Sequence, residues 1–155
     1  MALERAIPRG EAVLLDTSSL AAYLGSEPTS AIAAFLIDEY VRSGRNRAVV
    51  SAVSVTELLV RPIRGGHHDV GRSILEFLRT FANLDIVPVD LTVATIAAAL
   101  RARDGMKVPD ALIAASGLDR SAAVAISDDA GWPETLAHGA TTMRVVALRS
   151  FLPFA

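Results

Sequence analysis

Short apolar runs alternate with longer stretches of helical periodicity along this chain. In "AVLLDTSSLAAYL" the run Ala12 to Leu15 predicts a strand that turns at Asp16 into a helix ending near Gly25. "SAIAAFLIDEYVRSG" has apolar residues at helical spacing, with Ser30 as cap and Gly44 as stop. "RAVVSA" predicts a second strand, and "SVTELLVRP" a short helix halted by Pro62. "RGGHHDVG" reads as a loop before the amphipathic helix "RSILEFLRTFANL". A third strand, "DIVPV", precedes the long helix "LTVATIAAALRARDG", stopped at Gly105, and "VPDALIAASGLD" makes another helix with Pro109 in its first turn. "AVAIS" is a fourth strand, "PETLAHG" a brief helix and "MRVVAL" a fifth strand. Strands and helices in this alternation predict an α/β sandwich with a mostly parallel sheet of about five strands. There is no repeat or linker, so residues 1–155 read as one domain.

In open parallel sheets, ligands bind outside the carboxyl ends of the strands, which directs attention to the acids there. The first strand runs into Asp16 and the fourth into Asp128 and Asp129, while Glu57 and Asp110 sit near helix starts. Each has a local structural role to play: Asp16 as an N-cap, Ser54 and Glu57 as a capping box, Asp110 in a first helical turn, Asp128 and Asp129 as turn formers. Local capping explains these positions singly but not their joint arrangement. Four acids converging on one sheet edge repel, so they take up protons or gather a cation. Oxygen-only ligation suits Mg²⁺ or Mn²⁺.

Composition narrows the chemistry. Cysteine is absent, which removes disulfides, thiolate metal sites and thiol nucleophiles. Adjacent His67 and His68 with Asp69 on a glycine-rich loop are a poor zinc chelate. A Gly-x-Gly-x-x-Gly after the first strand and a Walker A loop are both missing, against nucleotide-cofactor binding. A haloacid dehalogenase-type phosphatase expects a second Asp where Ser18 stands. A response-regulator receiver expects a lysine after a late strand, whereas the only lysine is Lys107. The formal net charge of -2 argues against a generic nucleic-acid coat. Setting aside Asp16, Glu57, Asp110 and Asp129, however, leaves 13 acids against 15 basic residues. The cations are nearly all arginine, which grips phosphate in bidentate fashion, and Arg61, Arg64, Arg103 and Lys107 flank the acidic segments.

The residues "LLDTSSL", "SAVSVTELL", "KVPDALIAASGL" and "AISDDAGW", in this order, resemble those of PIN-domain ribonucleases, and among them the VapC-type toxins of type II toxin–antitoxin systems. The resemblance spans nearly the whole chain and implies a PIN-like three-layer sandwich. It implies an Mg²⁺- or Mn²⁺-dependent endoribonuclease, with metal-holding and catalytic roles for Asp16, Glu57 and Asp110. The family's fourth position follows a strand as Thr, any residue, Asp, two residues and an aromatic. Here these become Ser127, Asp129 and Trp132, so Asp129 is expected at the metal and Asp128 outside it. Strand alternation agrees, since 127 and 129 share a face. Thr17, Ser127 and Asp128 are expected to support the ligands from behind. The resemblance also implies a VapB-type antitoxin as partner and RNA as substrate. The alternative is a PIN-like module that binds RNA or protein without cutting.

Hydrophobic residues make up 52% of the chain, with a mean hydropathy of +0.40. That richness fits burial by the antitoxin or a homodimer, with candidate grooves around "IAAFLIDEYV" and "ILEFLRTF". No apolar run reaches the roughly 18 residues of a membrane span, and the N-terminus does not read as a signal peptide. A cytoplasmic location without membrane contact is expected.

Overall fold

The computed structural model describes residues 2–153. Six strands form one sheet: β1 (Ala12–Leu15), β2 (Arg47–Ser51), β3 (Leu84–Val87), β4 (Val124–Ile126), β5 (Thr135–His138) and β6 (Thr141–Val146). Their order is β3-β2-β1-β4-β6-β5, and every pairing is parallel except that of β5 with β6. The helices are α1 (Leu3–Ala6), α2 (Thr17–Leu24), α3 (Ser30–Phe35), α4 (Ala52–Arg64), α5 (His68–Thr80), α6 (Leu91–Asp104) and α7 (Val108–Asp119). A wide π-helical stretch, Leu36–Arg42, continues α3, and a short 3₁₀ turn covers Leu148–Phe151.

β1 is buried along its whole length, as a central strand covered on both faces must be. Its alternate residues feed two cores. Val13 and Leu15 join Ile32, Leu36 and Ile126 on one face, while Ala12 and Leu14 join Val93, Leu100 and Ile113 on the other. The second core is sealed by α6 and α7. There Gly117 lets α7 lie against the sheet, because a Cβ in its place would stand 2.8 Å from both Leu14 Cδ2 and Met143 Sδ. That close approach fixes the far end of α7, where Asp110 sits, relative to β1.

The structure departs from sequence expectation in five places. Residues 135–138 are a strand, not a helix. β5 pairs antiparallel with β6 and buries only Leu136 fully, and Gly139 at φ +58° serves the turn between them. The sheet therefore has six strands. Pro62 does not stop α4, which continues to Arg64. Proline removes only its own N–H, and the N–H groups of Gly65 and His67 still reach Arg61 O and Pro62 O. His68 and Asp69 open α5 instead of lying in a loop. Ser30 is the first residue of α3, with Thr29 at the cap. Lastly, Ser54 is no capping-box residue: Ser51 caps α4, its Oγ accepting from Val53 N at 3.1 Å.

Candidate functional site

The crossover from β1 leads to β2 on one side, while β4 lies against the other, so the chain reverses its direction of build between β1 and β4. Carboxyl ends of strands at such a point open a crevice. Asp16 leaves β1 there, 5% exposed. As N-cap of α2 its Oδ1 accepts from Thr17 N at 2.7 Å. Its Oδ2 accepts from Ser127 Oγ at 2.7 Å and from Ser18 Oγ at 3.2 Å.

Each of these serines carries the connection on to the loop after β4. Ser127 Oγ accepts from Asp129 N at 3.2 Å, and Ser18 Oγ accepts from Asp128 N at 3.1 Å. The two neighbouring aspartates then part. Asp128 Oδ1 accepts from Arg149 N at 3.1 Å and so pins the C-terminal 3₁₀ turn. Asp129 is exposed, its Oδ1 accepting from Gly131 N at 2.8 Å, and its charge is felt by Asp110.

Glu57 comes from α4. It does not turn back to cap its own helix; its Oε1 accepts from the Thr17 hydroxyl at 2.7 Å, and that hydroxyl lies 3.0 Å from the buried Ser54 Oγ. Thr17 thereby ties α2 to α4. Asp110 is half-buried in the first turn of α7, where the helix dipole favours a carboxylate.

These acids lie near enough to feel one another's charge. Burial pushes the Asp16 carboxyl above the ordinary aspartate range, against the Ser127, Thr17 and Ser18 hydrogen bonds, and Glu57 adds repulsion. Burial also raises Asp110, followed by repulsion from Asp129 and Asp16, while the Trp132 indole and Lys107 pull the other way. Among the described residues no arginine or lysine forms an ion pair with any of the four.

The donor set is entirely carboxylate, and its uncompensated repulsion is what a hard divalent cation relieves. As they stand, no three acids among the described residues enclose a single point closely enough to hold an ion. Asp16 and Glu57 are occupied by hydroxyl donors instead. The residues fit Mg²⁺ or Mn²⁺ in chemistry, with side chains that must turn inward to hold it.

Of the cations, Arg61 and Arg64 are exposed on the last turns of α4, and Lys107 stands beside Asp110. Arg103 instead bridges Asp104 and Ala137 O at 2.8 Å each, tying α6 to β5. Sequence reasoning missed Ser18 and the direct role of Ser54. The run of hydroxyls after Asp16 signals Ser18, whereas Ser54 meets Thr17 only through the packing of α4 on α2.

No relative among curated proteins matches the chain. Solved structures do. DNA-bound VapBC from Salmonella typhimurium shares 16% identity at TM-score 0.60, covering 89% of this chain and 98% of that one. Mycobacterium tuberculosis VapC20, a sarcin-ricin loop cleaving toxin, shares 17% identity at TM-score 0.60, covering 76% of this chain and 90% of that one. FitAcB from Neisseria gonorrhoeae shares 25% identity at TM-score 0.57, covering 77% of this chain and 88% of that one. The PIN domain family model matches residues 13–135, from the start of β1 into β5 and across all four acids. With that match over most of its length, the chain belongs to the PIN domain family.

Proposed function

We propose that the protein is a Mg²⁺- or Mn²⁺-dependent endoribonuclease and the toxin of a toxin–antitoxin pair. The observation that carries this reading is the gathering of Asp16, Glu57, Asp110 and Asp129 near one sheet edge with no ion pair to any of them among the described residues. The likeness of the fold to VapC20, a sarcin-ricin loop cleaving toxin, supports it.

In this reading Asp16, Asp110 and Asp129 hold the ion, with Glu57 beside them. A divalent ion, when bound, would supply Lewis acidity toward the phosphodiester and make water more acidic. The chain's own part is to fix the carboxylates. Ser127 and Ser18 orient Asp16 and hold the Asp128–Asp129 backbone to it, and Thr17 holds Glu57. Arg61, Arg64 and Lys107 meet the phosphates of the substrate. Water attacks phosphorus, the bond from phosphorus to O3′ breaks, and O3′ takes up a proton, leaving a 5′-phosphate and a 3′-hydroxyl.

An antitoxin is supported by apolar surface, though not where the sequence points first. Most of "IAAFLIDEYV" is core: Ile32, Ala33, Leu36, Ile37, Tyr40 and Val41 are buried. The open apolar face belongs to α4 and α5, where Ile63 is 58% exposed beside Val60 and Val70. Between these helices runs a groove of about 290 Å³ lined by Leu59, Ile63, Gly71 and Leu75. A second copy of the chain is the other occupant we consider for it.

The experiment is incubation of purified protein with RNA and Mg²⁺ or Mn²⁺, beside Asp16→Ala and an EDTA control. Cleavage to 5′-phosphate ends, lost in both controls, is the expected result. Equal cleavage by the variant, or 2′,3′-cyclic phosphate ends, sinks the assignment. A non-cleaving binding module is the second reading, favoured by the hydroxyl bonds that occupy Asp16 and Glu57. It predicts RNA retention without products.

A further inference from the structure

Trp132 is the only tryptophan in the chain and is 7% exposed. Among the described residues its indole Nε1 is fully buried and has no hydrogen-bond partner. Ser30 Oγ and Tyr40 Oη share that condition, but a hydroxyl proton can rotate toward whatever acceptor arrives. An indole N–H cannot, because the ring fixes its direction. Leaving a buried donor unsatisfied costs about 1–3 kcal/mol, so the orphan calls for an acceptor that another state of the molecule provides.

The surroundings of the ring say which. Trp132 closes the turn that begins at Asp129: Trp132 N donates to Asp129 O at 3.3 Å, and Gly131 N to Asp129 Oδ1 at 2.8 Å. These bonds hold the Trp132 backbone beside one acid of the cluster, and its buried ring shares a core with Ala111, the residue that follows Asp110. The carboxylate it acts on is Asp110, whose charged form it favours without closing a bond of good geometry. A carboxylate has two oxygens, and anchoring one of them aims the other. Residues behind a metal ligand act in this way.

We propose that Trp132 is a positioning residue for Asp110: its indole N–H engages one carboxylate oxygen when Asp110 turns toward a divalent cation, leaving the other oxygen for the ion. This rests on reading the acids as a metal-holding cluster. Lys107 also draws on Asp110 but is exposed, and an ammonium on a flexible stem sets no fixed direction as the indole does.

Two measurements test this. Trp132→Phe keeps an aromatic ring and removes the only donor, so Mn²⁺ affinity, read by calorimetry at fixed pH, should fall about 10-fold or more. Combining it with Asp110→Asn should weaken binding no further than Asp110→Asn alone. The second measurement needs no variant. A single tryptophan gives a single indole cross-peak in a proton–nitrogen NMR spectrum, and saturating Mg²⁺ should move its proton downfield as the bond closes. Equal Mn²⁺ affinity in wild type and Trp132→Phe, or an indole resonance unmoved while Mg²⁺ binds, overturns the inference and leaves the metal reading standing. Wild-type protein that binds neither ion overturns both. If Trp132→Phe does not fold, the NMR titration decides.

Discussion

The two ends of the parallel sheet handle their acids in opposite ways. At the end where β4 and β6 begin, Asp85 and Asp119 share Arg120, at 3.1 and 2.9 Å. Beside them lies a cavity of about 510 Å³, lined by Leu91, Ile96, Leu118, Asp119, Ser121 and His138. At the other end Asp16, Asp110 and Asp129 have hydroxyls and backbone amides for company and, among the described residues, no ion pair with an arginine. α7 spans both ends, with Asp110 in its first turn and Asp119 as its last residue. That cavity is therefore not where the unpaired acids gather. Partly exposed ion pairs such as those of Arg120 contribute about 0–1 kcal/mol and explain themselves. Acids left raised by burial and by one another do not, and such groups concentrate at functional sites.

The contrast is open to attack, most forcefully through activity. Asp110→Asn and Asp129→Asn should each lower RNA cleavage by about 100-fold or more, the scale of losing one preorganised electrostatic group. Asp85→Asn and Asp119→Asn should leave it within about twofold in the same assay. Equal losses at both ends would falsify the division. If Asp128→Asn abolishes cleavage while Asp129→Asn is mild, those two aspartates exchange roles.

A second test strikes the helix that joins the ends. Gly117→Val drives two methyls into Leu14 and Met143, and overpacking of this kind costs about 1–3 kcal/mol. The denaturant midpoint should drop with the slope unchanged, and cleavage should drop with it as Asp110 shifts. A midpoint equal to wild type means that α7 has slack at this point.

The smallest effect concerns pH in the absence of divalent ions. Asp16 and Asp110 have folded-state pKa values above the unfolded value near 3.8, burial being the first cause in both. Over that interval the folded chain holds protons the unfolded chain has lost. Their contribution to stability is full below the unfolded value and disappears as pH rises through the folded one. Asp110→Asn removes part of this slope, so at pH 7 its melting temperature should exceed wild type by a few degrees, and the gap should close near pH 4. Asp119→Asn should bring no such gain.

Much of the fold, and the placing of acids at strand ends and helix starts, was legible in the chain, because both depend on local pattern. Apolar runs ending in acids mark strand ends, and Pro109 before Asp110 marks the start of α7 where the helix does begin. What escaped depends on partners distant in sequence. "PETLAHG" opens like a helix, yet its pairing with β6 decides its state. Ser54 and Glu57 have the spacing of a capping box, but Thr17 across the crevice outcompetes the cap. Strand alternation cannot decide between the two adjacent aspartates, because β4 ends at Ile126; Ser18 and Arg149 draw Asp128 aside instead.

The bond from Ser127 to Asp16 joins residues 111 positions apart. Its consequence is one of timing. During synthesis the amino-terminal strands emerge first, and β1 with its helix can pair with β2 long before β4 exists. Asp16 is then a plain helix cap on an unfinished sheet. The acid cluster comes into being only when the last third of the chain has been made and β4 has slotted in beside β1, so a nascent or truncated chain carries the parts of the site without its arrangement.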